Sequence, residues 1–311
     1  LCYENGQGTE RSIDQAEKWY TKAAEQGHTL AQSNLGFLLY NQGRYSEAHS
    51  WFIKACENEN TNAQYGMGQC FYYGNGVGQN YGQAQLWYER AAEGKHINAI
   101  IQLGHISFYG YCGEADYVAA AQWYQKAADL DSASGQYYLA NCYKDGQGVE
   151  QNYKTAFDLY EKAAKQNYAS AQSQLGDMYY YGYDVEKDLA LAVEWFRKAA
   201  ENNDTYGQFC LGYCYYQGQG IQLDREEAVY WYTKAAENGN ITSQLKLGEC
   251  YLYGEGTVSD YEQAVYWLSR AAQQNDIGAQ KLLGECYENG WGVQQDPEKA
   301  KEYYEMSASD L

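Results

Sequence analysis

The chain has 311 residues and a formal net charge of −19, because 41 acidic side chains outnumber 22 basic ones. This charge argues against nucleic acid, whose phosphates need a basic surface, and against an anionic membrane surface. No run approaches the roughly 18 apolar residues of a membrane-spanning helix, so we expect no membrane insertion. A protein or peptide partner, basic or neutral, is favoured, although solubility alone would also account for the acidity.

One unit is repeated along the chain. Its clearest mark is an alanine that recurs nine times, with seven of the eight spacings equal to 36 residues: Ala16, Ala48, Ala84, Ala120, Ala156, Ala192, Ala228, Ala264 and Ala300. Such spacing predicts a repeat protein, in which each unit packs on its neighbours and the stack forms an extended surface. We expect one domain over residues 1–311, with units at about 1–30, 31–62, 63–98, 99–134, 135–170, 171–206, 207–242, 243–278 and 279–311.

Each unit is predicted to contain helix A, a glycine turn and helix B. In the sixth unit, helix A is expected over Ala169–Tyr181, with its apolar residues, Leu175 among them, at helical spacing. Gly182 is expected to end that helix in the left-handed conformation. Asp188 is placed to cap helix B, which is expected over about Leu189–Glu201.

Four further columns repeat in register with the alanine. The first apolar position of helix A is Leu35, Met67, Leu103, Leu139, Leu175, Leu211, Leu247 and Leu283. The small residue after it is Gly36, Gly68, Gly104, Ala140, Gly176, Gly212, Gly248 and Gly284, which should let helices approach closely. The helix B cap is Ser12, Asn80, Asp116, Asn152, Asp188, Asp224, Asp260 and Asp296. A helix B tryptophan, predicted to lie in the core, recurs at Trp19, Trp51, Trp87, Trp123, Trp195, Trp231 and Trp267.

The columns together resemble the Sel-1-like repeat, a relative of the tetratricopeptide repeat. Its written form is Leu-Gly-x-x-Tyr-x-x-Gly-x-Gly-Val, a gap, and Ala-x-x-Trp-Tyr-x-Lys-Ala-Ala. The seventh unit matches it at Leu211, Gly212, Tyr215, Gly218, Gly220, Ile221, Ala228, Trp231, Tyr232, Lys234, Ala235 and Ala236. The resemblance covers essentially the whole chain. It implies an all-α fold, a right-handed α/α superhelical solenoid of about nine 36-residue helix–turn–helix repeats with the first one partial, used as a scaffold or adaptor of protein complexes.

Two units depart from the pattern. The second has a turn four residues shorter, Asn41-Gln42-Gly43-Arg44, and resembles a tetratricopeptide unit, so we expect a local change in superhelix curvature there. The loop of the fourth unit reads Gly110-Tyr111-Cys112-Gly113, which is also off pattern.

Six of the nine cysteines occupy one slot on helix A: Cys2, Cys70, Cys142, Cys214, Cys250 and Cys286. Because other units hold Leu38, Ile106 or Met178 there, we expect a buried, apolar environment. Equivalent residues of adjacent units should lie about 10 Å apart, too far for a disulfide. A secreted branch of the resembling family pairs a helix B cysteine with the next helix A, but the expected partner of Cys56 is Gln64. The unpaired set favours a reducing, intracellular compartment, and without a Cys-x-x-Cys we predict no metal site.

No catalytic residue and no cofactor is predicted. Turns such as Gly74-Asn75-Gly76 superficially resemble nucleotide loops, but a phosphate loop needs a preceding strand and a Lys-Ser/Thr ending. Glu226 and Glu227 lie in the first turn of a helix B, where they favour the helix dipole. His105 fits a binding surface better than catalysis.

The candidate binding surface is inferred from the tyrosines. The chain has 36 of them, more than the repeated core positions account for. In the tetratricopeptide geometry that the resemblance implies, helix A lines a concave face, and positions −2, +2, +5 and +6 from its first apolar residue point inward. The candidate groove residues are Tyr65, Tyr72, Tyr73, His105, Phe108, Tyr109, Tyr137, Asn141, Lys144, Asp177, Tyr180, Tyr181, Phe209, Tyr213, Tyr216, Glu249 and Tyr253, and Ile101 and Leu252 occupy the same positions. We expect an aromatic groove with acidic edges that holds an extended or helical protein segment. The alternative is that many of these rings fill gaps between neighbouring helices.

Three functions remain open at this level. The first is an intracellular, non-catalytic protein-interaction scaffold. The second is a secreted or periplasmic bacterial binder of host protein or cell-wall material, and the third is the regulatory repeat arm of a larger enzyme. The N-terminus reads as the middle of a unit and shows no signal peptide, so we expect a longer parent protein. Uncapped end units suggest weak self-association.

Overall fold

The computed structural model describes residues 2–8 and 10–309, which form α-helices and no strand. The helices are α1 (Cys2–Asn5), α2 (Ile13–Glu25), α3 (Thr29–Asn41), α4 (Tyr45–Cys56), α5 (Thr61–Tyr73), α6 (Tyr81–Glu93), α7 (Ile97–Tyr109), α8 (Tyr117–Asp129), α9 (Ala133–Asp145), α10 (Tyr153–Lys165), α11 (Ala169–Tyr181), α12 (Leu189–Glu201), α13 (Thr205–Gln217), α14 (Arg225–Glu237), α15 (Ile241–Tyr253), α16 (Tyr261–Ala272), α17 (Ile277–Asn289) and α18 (Pro297–Ser309). The all-α prediction is confirmed, as are the predicted bounds of α11 and α12.

The helices form two compact halves, residues 1–152 with α1 to α9 and residues 153–311 with α10 to α18. These halves are called here the first unit and the second unit, and a single pair of helices A and B is called a repeat. Within each unit, every helix packs on the next one along the chain, and neighbouring A helices such as α11 and α13 also touch. This nearest-neighbour packing is typical of repeat proteins. The odd-numbered helices from α3 onward are the A helices, and the even-numbered ones are the B helices.

The small-residue column has a specific packing partner. At Gly176, an added Cβ would lie 2.4 Å from the ring of Phe196 on α12, and at Gly68 it would lie 2.3 Å from the ring of Tyr88 on α6. Both rings are almost completely buried. The column therefore admits the large core side chain of helix B, which explains the close approach of the two helices in a repeat.

The prediction that the tryptophan column forms the core was wrong for most of its members. The buried residue is the next one along helix B: Tyr20, Phe52, Tyr88, Tyr124, Tyr160, Phe196, Tyr232 and Leu268. Trp19 is 54 % exposed, and Trp267 is the member that is buried, at 7 %. The others are partly exposed, and a basic side chain three residues on covers several of them, with Lys126 Nζ 3.7 Å from the Trp123 ring centroid. The tryptophans lie at the edge of the buried face of helix B, where one face of the ring can contact a cation.

The glycine turns are structural, as predicted. Gly182 ends α11 with φ of 78°, and its equivalents end the A helices from α5 onward in the same left-handed conformation, whereas α3 ends at Gln42 in the right-handed conformation. At Gly220, the second glycine of a turn, an added Cβ would lie 2.1 Å from the carbonyl oxygen of Leu189, at the start of the preceding helix B. The predicted caps are confirmed at Ser12, Asn80, Asp116, Asp188, Asp224, Asp260 and Asp296, whose side chains accept a backbone N–H bond.

A buried glutamine column joins adjacent repeats, and sequence reasoning did not assign it this role. The Gln244 amide donates to the carbonyl of Ala236, at 3.1 Å, and accepts a bond from Gln274 at 2.9 Å. Gln208 likewise contacts Ala200 and Asn238. Each glutamine thus adds a side-chain bond to a carbonyl in the last turn of the preceding helix B, which also accepts a backbone N–H from the following turn.

The cysteine slot is buried at Cys70, Cys142, Cys214, Cys250 and Cys286, as predicted, and these thiols are free. The side chain of Cys2 lies outside the described residues. Burial raises the pKa of the Cys214 and Cys250 thiols to about 12. They are therefore apolar packing groups with little thiolate character.

Candidate functional site

Five tyrosines of the first unit form one surface, called here the tyrosine patch: Tyr72, Tyr73, Tyr81, Tyr109 and Tyr111. The rings of Tyr81 and Tyr111 stack with centroids 4.8 Å apart, and Tyr72 meets them edge-on at 5.2 and 5.7 Å. Tyr73 and Tyr109 are 56 % and 61 % exposed. The structure thus brings three predicted residues together with two unpredicted ones, and Tyr111 comes from the off-pattern loop after α7.

Phe108, His105 and Tyr65 are held more deeply in the same unit. Phe108 lies 5.1 Å from both Tyr109 and Tyr117. The Nδ1 atom of His105 is 2.8 Å from the hydroxyl of Tyr124, and burial lowers the pKa of His105.

Tyr65 stacks on His96 at 4.5 Å, and burial raises the pKa of Tyr65 to about 12. Residues Tyr137, Asn141 and Lys144 are half-buried on α9, where Lys144 Nζ lies 3.9 Å from a carboxylate oxygen of Asp145. They lie apart from the tyrosine patch along the chain, on the last helix of the first unit.

The second unit contains a cleft of about 340 Å³ between α11 and α13, called here the aromatic pocket. Helix α11 contributes Asp177, Tyr180 and Tyr181, and α12 contributes Phe196. Helix α13 contributes Tyr206, Phe209, Cys210, Tyr213 and Cys214. Five of the predicted groove residues therefore lie around one cavity.

The pocket is held by contacts that cross it and by contacts within each wall. The Tyr206 hydroxyl donates to Oδ1 of Asp177 at 3.1 Å, which joins α13 to α11. The Phe209 ring lies 6.3 Å from both Tyr206 and Tyr213. Helical spacing of three and four residues puts these three rings on one face of α13.

The lining is aromatic with a single carboxylate. Burial raises the pKa of the Tyr180 phenol to about 12, and burial together with Cys210 and Asp177 raises the pKa of Tyr206. Burial, reinforced by Asp177, also raises the pKa of the Cys210 thiol well above its ordinary value. At neutral pH these phenols and thiols are uncharged, so Asp177 is the charged side chain among the lining residues.

Three predicted residues lie outside the pocket. Tyr216 hydrogen-bonds to Glu255 and lies under Arg225, whose guanidinium carbon is 5.3 Å from the ring centroid. Glu249 pairs with Lys246 at 2.7 Å, and Tyr253 is 58 % exposed. The prediction that these positions of helix A point into an open groove was wrong for Ile101 and Leu252. Their side chains are only 6 % and 4 % exposed, because they pack between helices.

Sequence reasoning missed Tyr206 and Cys210, although a signal was present in the columns. The position of Tyr206 holds Leu30, Asn62, Asn98, Ser134, Ser170, Thr242 and Gly278 in other repeats, so a ring is special to this one. At the position of Cys210, the fifth repeat has Tyr138, whose ring stacks on Tyr124 at 5.2 Å and meets His105 edge-on at 4.6 Å.

The same three-helix arrangement occurs in α7–α9 and α11–α13, so a ring at position 210 would lie over Phe196 and Asp177. The smaller side chain of Cys210 lines the cavity and leaves that space open.

In residues 2–8 and 10–309, no helix is long and apolar enough to cross a membrane. Across that same part of the chain, no group of three or more His, Cys, Asp or Glu side chains is arranged to hold a metal ion.

Comparison with known proteins agrees with the repeat architecture. Nine consecutive segments match the family described as Sel1 repeat, at residues 1–28, 29–60, 61–96, 97–132, 133–168, 169–204, 205–240, 241–276 and 277–310. Similar solved structures include c5321, described as a protective antigen present in uropathogenic Escherichia coli strains displaying an SLR fold. It is 32 % identical, with 100 % of this chain and 79 % of that chain covered and a TM-score of 0.63.

A Sel1 repeat protein from Oxalobacter formigenes is 26 % identical, with 94 % of this chain and 87 % of that chain covered and a TM-score of 0.71. The sel1-like repeat-containing protein L21 of Acanthamoeba polyphaga mimivirus is 46 % identical over 48 residues, or 15 % of this chain. That match spans 9 % of the length of the viral protein.

Proposed function

This chain belongs to the Sel1 repeat family, and we propose that it is a non-catalytic scaffold that holds a protein segment on its A helices. Sel1 repeat proteins are in general protein-interaction scaffolds. The proposal places the segment at the aromatic pocket of the second unit. The tyrosine patch of the first unit offers a further contact area of the same chemistry.

The observation that carries this proposal is the aromatic pocket itself. A cleft of about 340 Å³ has the size of a small binding site and takes one or two side chains of a partner. Its tyrosines combine large contact area with few rotatable bonds, so little side-chain entropy is lost on binding. Aromatic side chains of this kind are enriched among the residues that contribute most to protein–protein affinity.

The chemistry of the pocket supports binding without catalysis. The raised pKa values of Cys210 and Cys214 keep both thiols protonated, whereas a nucleophilic cysteine needs a depressed pKa. Asp177 is engaged by a tyrosine hydroxyl, which positions the carboxylate for recognition. The net charge of −19 favours a basic segment, because complementary charge accelerates encounter.

A peptide-display selection on the intact chain tests the proposal. A random library of 12-residue peptides is selected for binding, and each enriched peptide is measured by calorimetry on wild-type protein and on the double variant Tyr180→Ala/Tyr213→Ala. We expect micromolar peptides whose affinity falls at least tenfold, which corresponds to about 1.4 kcal/mol, on the double variant.

The matched control is Tyr230→Ala/Tyr266→Ala, which removes two half-exposed tyrosines from helices α14 and α16. Affinity for the control should stay within twofold of wild type. Thermal unfolding of both variants establishes that the fold is retained. Two outcomes would rule out the aromatic pocket as the binding site. One is a selection that yields no peptide, and the other is a set of peptides that bind both double variants with equal affinity.

A further inference from the structure

We propose that the first unit carries a second binding site, a cleft that takes the side-chain carboxamide of an asparagine or glutamine from a partner protein. The cleft, called here the α4–α6 cleft, has a volume of about 540 Å³ and lies where α4 ends, α5 begins and α6 ends. Its lining residues are Cys56, Glu57, Glu59, Thr61, Gln64, Trp87, Arg90, Glu93 and Gly94. The cleft is separate from the aromatic pocket and from the tyrosine patch, and only the polypeptide source of the guest rests on the proposed function.

The first argument is a buried glutamine that lacks the hydrogen bond made by its equivalents. In three other repeats a carboxamide thirty residues on donates to this glutamine, at 2.9 to 3.1 Å: Asn202 to Gln172, Asn238 to Gln208 and Gln274 to Gln244. The residue thirty positions after Gln64 is Gly94, which has no side chain to donate. Within residues 2–8 and 10–309, Gln64 Oε1 has no hydrogen-bond partner, although Gln64 is only 8 % exposed. A guest that donates to this acceptor would remove the cost of leaving it unpaired.

The missing donor position belongs to the cleft. In the other repeats Oε1 faces the residue thirty positions on, so by the same repeat geometry Gln64 Oε1 faces Gly94, and both residues line the cleft. Thr61 fills part of the space, since an added Cβ on Gly94 would lie 2.1 Å from Cγ2 of Thr61. This methyl group donates no hydrogen bond, and rotation of Thr61 about χ1 moves it away from Gly94. The cleft can therefore admit a donor where the repeat pattern places one.

The second argument is the mixture of donors and acceptors in the lining. Gln64 offers an acceptor, and Arg90 offers N–H donors, with its guanidinium carbon 4.6 Å from the Trp87 ring centroid. A guanidinium that lies over a ring still donates from the edges of its plane. A carboxamide carries both an N–H pair and a carbonyl oxygen, so it can pair with Gln64 and Arg90 together. A carboxylate has no donor for Gln64 and would meet the three glutamates of the lining.

An ammonium group fits this lining less well than a carboxamide. The side chains of Glu57, Glu59 and Glu93 are exposed and hydrated, so they compensate little for burying a charge beside a neutral acceptor. Arg90 adds a like charge at the same cleft. Burial raises the pKa of the Cys56 thiol to about 12, with Arg90 opposing the rise, so the thiol is uncharged at neutral pH. The lining therefore favours a neutral guest that both donates and accepts.

The test titrates four capped amino acids into the intact chain and follows the backbone amide resonances by NMR. Nα-acetyl-glutamine methylamide and Nα-acetyl-asparagine methylamide carry the carboxamide. Nα-acetyl-methionine methylamide is the neutral counterpart without it, and Nα-acetyl-lysine methylamide carries an ammonium group instead. We expect millimolar binding of the glutamine or the asparagine probe, at least fivefold tighter than that of the methionine and lysine probes. The largest shifts should occur at Thr61 and Gly94.

A double variant supplies the missing donor from within the chain. Thr61→Ala/Gly94→Asn gives the third repeat the residues that the sixth repeat carries at Ala169 and Asn202. Gly94 has φ of −81°, close to the −85° of Asn202, so the backbone accepts an asparagine there. The new side chain should occupy the cleft, weaken carboxamide binding at least fivefold and raise the unfolding temperature above that of Thr61→Ala. Thr61→Ala alone should bind the probe at least as tightly as wild type.

A second pair of variants tests the acceptor. Gln64→Met keeps the length of the side chain without its polar atoms, and it should weaken carboxamide binding at least fivefold. Gln32→Met is the matched control, because Gln32 is another buried glutamine with an unpaired Oε1 in the described part of the chain but does not line the cleft. Binding to the control should stay within twofold of wild type. Thermal unfolding establishes that each variant is folded.

Four outcomes overturn the proposal: no binding of any probe, equal binding of the glutamine, asparagine and methionine probes, tighter binding of the lysine probe, or carboxamide binding unchanged by Gln64→Met. These failures are distinguishable from failure of the proposed function, because Tyr180→Ala/Tyr213→Ala should leave probe binding at the α4–α6 cleft unchanged. Probe binding at the cleft without peptide capture at the aromatic pocket would reject the proposed site of the segment alone. The reverse result would reject the α4–α6 cleft alone.

Discussion

The hydroxyl of Tyr206 donates a hydrogen bond to Oδ1 of Asp177, at 3.1 Å, and so connects the first turn of α13 with the middle of α11. The two residues belong to successive repeats and occupy positions that differ in character elsewhere in the chain. Their bond fixes the single carboxylate of the aromatic pocket beside the rings of Phe209 and Tyr213. It relates the repeat geometry directly to the charged group of the aromatic pocket.

Replacing Tyr206 by phenylalanine tests this bond without removing the ring. The carboxylate of Asp177 should lose the bond that ties it to α13, and peptides selected on the wild-type chain should bind two- to fivefold more weakly by calorimetry. Stability should fall by no more than about 1 kcal/mol, because one partly exposed hydrogen bond contributes that much. Tyr230→Phe on α14 is the control, and an equal effect of both substitutions would show that the bond has no part in binding.

Gly176 should be intolerant of a methyl group. A Cβ there would lie 2.4 Å from the Phe196 ring, and relieving that overlap requires movement of a buried side chain. Gly176→Ala is expected to destabilise the fold by about 1–3 kcal/mol and to lower the midpoint of thermal unfolding. Gly82→Ala, also in a helix but with its nearest atom 3.4 Å away, should be neutral or stabilising. Equal midpoints for the two variants would contradict the packing described for the glycine column.

The buried glutamine column predicts a polar contribution to repeat stacking. Gln244→Ala removes the bond to the Ala236 carbonyl and the one from Gln274, and leaves a cavity where a fully buried side chain packed between the repeats. We expect a loss of about 1–3 kcal/mol in chemical denaturation. Gln263→Ala, at an exposed position of α16, should change stability by less than about 0.5 kcal/mol. A smaller effect at Gln244 than at Gln263 would show that the column is not needed for stacking.

Acid should destabilise the first unit through its three half-buried histidines. Burial lowers the pKa of His49, His96 and His105 from the ordinary value of 6.5. Because the unfolded chain then binds protons more readily than the folded one, stability falls as the pH drops below about 6.5.

The drop in unfolding temperature between pH 7 and pH 5 should therefore be smaller for His105→Gln than for wild type. His28→Gln, at an exposed position, should leave that drop unchanged. An identical drop for His105→Gln and wild type would show that His105 does not contribute to the acid response.

Much of the fold could be predicted from sequence because the repeats supply many independent readings of each position. The bounds of Ala169–Tyr181 and the cap at Asp188 follow from local signals that recur in nearly every repeat. The choice between Trp195 and Phe196 as the core ring could not be made this way, because both columns are aromatic and adjacent. Only packing against Gly176 distinguishes them.

The pocket could be predicted only in part, for a different physical reason. Columns identify Asp177, Tyr180 and Tyr213 as surplus polar or aromatic residues, but a cavity depends on what is absent from a position. The space at Cys210 exists because a ring like that of Tyr138 is missing, and that consequence appears only when the neighbouring helices are in place.

The most direct measurement is a calorimetric titration of one selected peptide into wild-type protein and into Cys210→Tyr. The fold should accept this ring, because the fifth repeat carries Tyr138 at the same position. Thermal unfolding should show the same midpoint for the variant and for wild type. Binding through the aromatic pocket then predicts that the variant binds the peptide at least tenfold more weakly. Unchanged affinity in the filled variant would contradict it.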